Sequence, residues 1–246
     1  MRVRGGNRQG PIARSQCLSS MLNAILDVAS VWKARVDRAR LARRWGKLRS
    51  LGMHIGQGVN LPASTWVDTS NCYAISIGDW CGFGEECLIL AHDAQMDEFL
   101  DAGLVARVTI HESCHFGSRT LILPGVEVGP RTIVGANSVV AKSLPPDTVC
   151  AGVPAKVLCS LDEYLARHQA RLAAGPQFLW SEYNLDVLTS QRRAEVMEAL
   201  SRGPIYFTGG FSAELEGRGG TERTPYDQTA KPNGVEYLRR RGANRG

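Results

Sequence analysis

The stretch "IHESCH FGSRTL ILPGVE VGPRTI VGANSV VAKSLP", Ile110 to Pro145, decides the fold. Set in sixes, it opens every block on a large apolar residue: Ile110, Phe116, Ile122, Val128, Val134 and Val140. The fifth place is nearly always small: Cys114, Thr120, Val126, Thr132 and Ser138. The same phase returns upstream in "IGQGVN LPASTW VDTSNC" (Ile55 to Cys72) and "IGDWCG FGEECL ILAHDA" (Ile77 to Ala94). Glycine takes the second place at Gly56, Gly78, Gly84, Gly117, Gly129 and Gly135. A period of six matches neither the helical period of about 3.6 nor the simple alternation of an ordinary strand. Each block supplies a short strand and a turn. Three blocks close a coil of about 18 residues, and stacked coils make a parallel β-helix. The first-place residues then fill the interior and the small fifth-place residues fit crowded corners. The second-place glycines are expected to serve a bend at positive φ.

The rhythm stops inside "CLILAHDAQMDEFLDAGLVARV", Cys87 to Val108. A coil can release an insertion at a corner without disturbing the stack, so residues 93–107 read as an extruded loop, with "MDEFLDAGL" as a short helical or irregular lid. His92 stands at its exit. Loops held by a rigid scaffold are where function concentrates. A neutral imidazole, with an ordinary pKa of about 6.5, can take a proton from an attacking hydroxyl. The plainer reading of the same residue is a histidine that caps a turn.

These blocks resemble the hexapeptide repeats of the left-handed β-helix acyltransferases. The segment "CHFGSRTLILPGVEVGPRTIVGANSVVAKSLPPDTVCAGVPAKVL" (Cys114 to Leu158) is similar to the final coils of sugar and xenobiotic O-acetyltransferases of that superfamily. The likeness covers about residues 52–160. It implies a left-handed winding, which the period does not reveal, since most parallel crossovers are right-handed. It also implies acetyl-CoA as acyl donor, a sugar or polysaccharide hydroxyl as acceptor, His92 as general base, and a homotrimer with sites between neighbours. For coenzyme A it points to Ser118, Ala136, Lys142 and Lys156. A long pantetheine arm needs a groove of small residues, and cations suit its phosphates. Asp93 and His115 are candidates for the acceptor pocket. His111 stands where glycine is usual, His115 where tryptophan is frequent, and Ala141 where threonine is common.

Two other readings share the fold: an N-acetyltransferase of an amino-sugar nucleotide, and a non-catalytic or metal-binding β-helix like the hexapeptide carbonic anhydrases. Three histidines, His92, His111 and His115, raise the second. Three residues separate His111 from His115, where that family has four, so no metal is expected. Cys81, Cys87 and Cys114 hold the small fifth place and read as packing residues rather than nucleophiles.

The flanks differ from the repeat. Residues 1–50 carry 12 Lys+Arg against 2 Asp, a balance of +10, so a whole-chain charge of +5 leaves 5 − 10 = −5 for the remainder. Residues 18–51 read as a basic amphipathic helix, with Leu22, Ile25, Leu26, Ala29, Trp32, Val36, Ala39 and Ala42 on one face. Such a helix packs on a domain or touches an anionic membrane surface. Residues 1–17 and 209–246 read as disordered, and 160–208 as a helical extension opened by a capping box at Ser160 and Glu163. No apolar run spans a bilayer, no signal peptide is read, and seven cysteines fit a reducing cytoplasm. Nothing resembles a nucleic-acid reader. The fold expected is an all-β core, a left-handed parallel β-helix over 52–159 with one extruded loop, flanked by helices.

Overall fold

The computed structural model describes residues 32–33, 35–37, 39–184 and 187–210. Two units separate, Met1–Ser50 and Leu51–Gly246. In the first, the described residues between 32 and 50 are helical. The earlier part of the expected helix, the disorder expected at 1–17 and the tail beyond 210 lie outside the described residues. Among the described residues no helix is long and apolar enough to cross a membrane.

In the second unit the chain visits three parallel sheets in rotation, with single bridges at Asn60 and Leu144 where the first and last coils lack a strand. The first sheet takes His54–Ile55, Ile75–Ile77, Val108–Ile110 and Glu127–Val128. The second takes Gly82–Phe83, His115–Phe116, Ile133–Val134 and Thr148–Ala151. The third takes Trp66–Val67, Leu88–Ile89, Leu121–Ile122 and Val139–Val140. This is a three-sided parallel β-helix. All twelve first-place residues, from Ile55 to Val140, are 9% exposed or less. Phe83 and Phe116 stack inside it, with ring centroids 4.7 Å apart.

The register measures what leaves the stack. Ile110 pairs with Val128, an offset of 18. Phe83 pairs with Phe116, an offset of 33, so 33 − 18 = 15 residues depart, the length of 93–107. Ile55 pairs with Ile77, an offset of 22, so 22 − 18 = 4 extra residues leave after Val67. This smaller departure, which contains the short helical turn Cys72–Ala74, is not foreseen in the sequence reading.

The second-place glycines have a different cause from the one expected. None of the six has positive φ. A Cβ on Gly78 would lie 2.7 Å from the backbone N of Glu112, and one on Gly117 would lie 2.3 Å from that of Ala136. The glycines are there because the next coil comes too close for a side chain. The left-handed turn sits at the fourth place instead, at Gly58, Trp80, Glu86, Ser113, Arg119, Gly125, Arg131 and Asn137.

Where the fifth place is Cys, and at Thr120, it is also a donor. Cys81 Sγ lies 3.0 Å from the His111 carbonyl, Cys87 Sγ 3.3 Å from that of Gly117, and Cys114 Sγ 3.0 Å from that of Gly129. Thr120 Oγ1 donates to the Gly117 carbonyl at 2.8 Å. Corner carbonyls thus gain partners where buried polar groups need them. Burial pushes the Cys87 and Cys114 thiols up, which suits packing rather than attack.

After the last coil, Lys156–Ser160 returns antiparallel along Thr148–Ala151. The segment Pro145 to Pro154 therefore carries a strand, Thr148–Ala151. The full capping box at Ser160 and Glu163 starts helix Leu161–Ala174, and Thr189 caps helix Ser190–Arg202. Gln177–Leu179, between the two helices, pairs in parallel with Tyr206–Thr208, after the second, and both lie inside the stretch read as helical. Three-residue strands are too short to show a period.

Candidate active site

His92 holds the fourth place of its block, where eight other blocks turn left-handed. Here the chain stays extended. His92–Asp93 pairs antiparallel with Leu104–Val105. The Ala106 N–H donates to the Ala91 carbonyl at 2.9 Å and closes the neck of the loop. Helix Asp97–Leu100 lies within the excursion.

The partner of His92 is Asp68, which the sequence reading missed. The Asp68 side chain is 1% exposed, that of His92 37%. His92 Nδ1 lies 2.5 Å from Asp68 Oδ2, and the same oxygen accepts the Ala91 N–H at 3.2 Å. Oδ1 accepts the N–H groups of Ser70 and Asn71, each at 3.1 Å. Asp68 follows strand Trp66–Val67, and the chain departing from the first coil curls its amides back onto the carboxylate, as in an Asx turn. Two breaks in the repeat thus meet at one place. Four residues leave after Val67 and supply the carboxylate; fifteen leave after His92 and supply the imidazole.

Burial pushes the Asp68 carboxyl up, but the hydrogen bonds from His92, Asn71 and Ala91 outweigh it and hold it below its ordinary value. An ionised carboxylate only accepts, so Nδ1 carries the proton of a neutral His92 ring and Nε2 keeps its lone pair. A buried acceptor that fixes the tautomer of a partly exposed imidazole is an arrangement suited to general base chemistry.

The other candidates separate. Asp93 caps the start of the loop, its Oδ1 accepting the Gln95 N–H at 2.9 Å. Lys142 holds the third place of the block that Val140 opens, on the edge between the third and first sheets where His92 leaves. Ser118 and Ala136 lie on the edge between the second and third sheets, linked through the Asn137 N–H to the Ser118 carbonyl at 2.9 Å. Lys156 joins them there, since the Ala155 N–H donates to the Val139 carbonyl at 2.8 Å. His115 stands outward on the second sheet, its ring over Gly82. His111 pairs with Glu127 at 2.9 Å on the first sheet. The three histidines do not converge, and among the described residues no group of three His, Cys, Asp or Glu is placed to hold a metal ion.

The bacterial transferase hexapeptide family (six repeats) matches residues 107–142. Galactoside O-acetyltransferase of Escherichia coli K12 is 39% identical over 56 residues, 23% of this chain and 28% of that protein. WcaF of the same strain, named as a colanic acid biosynthesis acetyltransferase, is 30% identical over 131 residues, 45% of this chain and 71% of that protein. The chain belongs to the hexapeptide-repeat acetyltransferase family. Among solved structures, the hexapeptide-repeat acetyltransferase VCA0836 of Vibrio cholerae aligns with a TM-score of 0.40 and 23% identity, over 49% of this chain and 80% of that one. The matches to the two Escherichia coli relatives span from 28% to 71% of their lengths. Within the hexapeptide-repeat acetyltransferase frame, Asp68 had one sequence signal: an acidic residue at a second place just where the period first slips.

Proposed function

We propose that the protein is an acetyl-CoA-dependent O-acetyltransferase acting on a hydroxyl of a sugar or surface-polysaccharide precursor, wound left-handed like its family. The Asp68–His92 pair at the mouth of the loop carries this reading. His92 Nε2 takes the proton of the acceptor hydroxyl as its oxygen attacks the thioester carbonyl. The C–O bond forms, the C–S bond breaks, and the proton passes to the departing thiolate, giving free coenzyme A and an acetyl ester. Asp68 holds the ring and offsets the charge that develops on it. Galactoside acetyltransferase has been solved in complex with coenzyme A. In this chain the Ser118–Ala136 edge, lined by closely stacked glycine backbone, fits a thin pantetheine arm, and Lys156 and Lys142 fit its phosphates.

These groups occupy two edges of the prism, with the third sheet between them. The outward residues of that sheet are mainly apolar: Trp66, Leu88, Leu121 and Val139 at the sixth place, Leu90 and Leu123 at the second. The first sheet presents His54, Ser76, Thr109 and Glu127 instead. An apolar flat side favours lateral packing, so Leu121, Leu123 and Val139 meet a neighbour in a homotrimer. His92 of one copy then faces the small-residue edge of the next.

The test is free thiol release from acetyl-CoA with glucose, galactose, maltose, glucosamine and N-acetylglucosamine. Release with neutral hexoses, giving a hydroxylamine-labile ester, supports O-transfer. An amide formed on glucosamine would favour N-acetylation, and silence with every acceptor would refute the reading.

A further inference from the structure

Resting on that reading of the site, we infer that Trp66 is the platform on which the acceptor's pyranose ring lies. Val67 points into the core at 1% exposure, so Trp66 and Asp68, its neighbours on either side, face outward. Two residues of extended chain put Trp66 about 7 Å from Asp68. Trp66 is 47% exposed, and Leu88, its partner on the next coil, 39%. The backbone N–H of Trp66 donates to the Cys87 carbonyl at 2.8 Å. Among the described residues its indole N–H has no hydrogen-bond partner. Beyond the dyad stand Val105 and Leu104, paired with His92 and Asp93 and 49% and 46% exposed.

A large ring left open beside a buried dyad, its polar tip unused, fits an amphipathic ligand. The indole face carries the negative lobe of its quadrupole. The axial C–H bonds of a pyranose carry partial positive charge, so the sugar lies flat on it with hydroxyls at its rim. One rim hydroxyl accepts from the indole N–H. Another reaches the His92 side of the ring. The apolar pair Leu104 and Val105 closes the far side without competing for hydroxyls. The class selected is a ring with an apolar face and equatorial hydroxyls, rather than a linear polyol or an amino acid.

The experiment compares wild type, Trp66→Ala and Trp66→Phe in steady-state thiol release, varying galactose, glucose or maltose at saturating acetyl-CoA and then the reverse. Trp66→Ala should raise the acceptor KM about tenfold or more, with the acetyl-CoA KM within about twofold. Trp66→Phe should fall between, keeping a stacking face and losing the N–H. Size-exclusion chromatography accompanies each variant. An unchanged acceptor KM in Trp66→Ala overturns the inference while leaving the function in place. A smaller assembly with both KM values raised together also overturns it, by making Trp66 an interface residue. No sugar turnover by wild type removes the inference and the proposed function together.

Discussion

Asp68→Asn lowers kcat by about 10²- to 10⁴-fold, while the KM of donor and acceptor stays within about threefold. The direction follows from the donors around the side chain. The N–H groups of Ser70 and Asn71 both point at Oδ1, so the amide oxygen of the variant settles there. Its NH₂ then faces His92 Nδ1 and the Ala91 N–H. Nδ1 must accept, Nε2 becomes protonated, and the base is lost with the ring still in place. The pH dependence has a matching sign. Asp68 is held below its ordinary value in the fold. Its contribution to stability is therefore complete above the unfolded carboxylate pKa of about 3.9, and is lost as pH falls through the lower folded value. Unfolding free energies measured down through that range should show a steeper acid loss in wild type than in Asp68→Asn. Equal slopes, or a variant with wild-type kcat, would contradict the assignment.

The largest effect on the fold comes from a single methyl group. Gly117→Ala places a Cβ 2.3 Å from Ala136 N and 2.7 Å from Ala136 Cα, and backbone of the next coil cannot turn aside as a side chain would. Overpacking of this kind costs about 3 kcal/mol, or about 6–12 °C in Tm for a chain of this size. Adding Ala136→Gly should not rescue the variant, because the collision is with the main chain rather than the Ala136 methyl. Calorimetry reads both. A Tm within about 2 °C of wild type, or full rescue by Ala136→Gly, would mean that the coils are spaced differently.

The interior of the prism was legible because one residue type recurs at one phase. Ile110, Phe116 and Ile122 announce themselves, and the loop length follows from where the phase resumes. The reason for the glycines was not legible. A second-place Gly looks like a turn residue until the distance to the coil above is known. Four of the eight left-handed places hold Trp80, Glu86, Arg119 and Arg131, which carry no turn signature. His92 was legible as a break next to a titratable ring. Asp68 was not, because its role depends on two departures, after Val67 and after His92, that meet only once the coils are stacked. Gln177–Leu179 and Tyr206–Thr208 escaped for want of length.

The central claim is that His92, held by Asp68, takes a proton from a sugar hydroxyl. Acceptor-dependent release of coenzyme A thiol by wild type and His92→Ala, assayed side by side with coenzyme A affinity measured by calorimetry, tests it most directly. The expected result is hexose-dependent turnover in wild type and a loss of about 10²- to 10⁴-fold in the variant, with coenzyme A affinity unchanged. Wild-type turnover rates in a folded His92→Ala protein would contradict it.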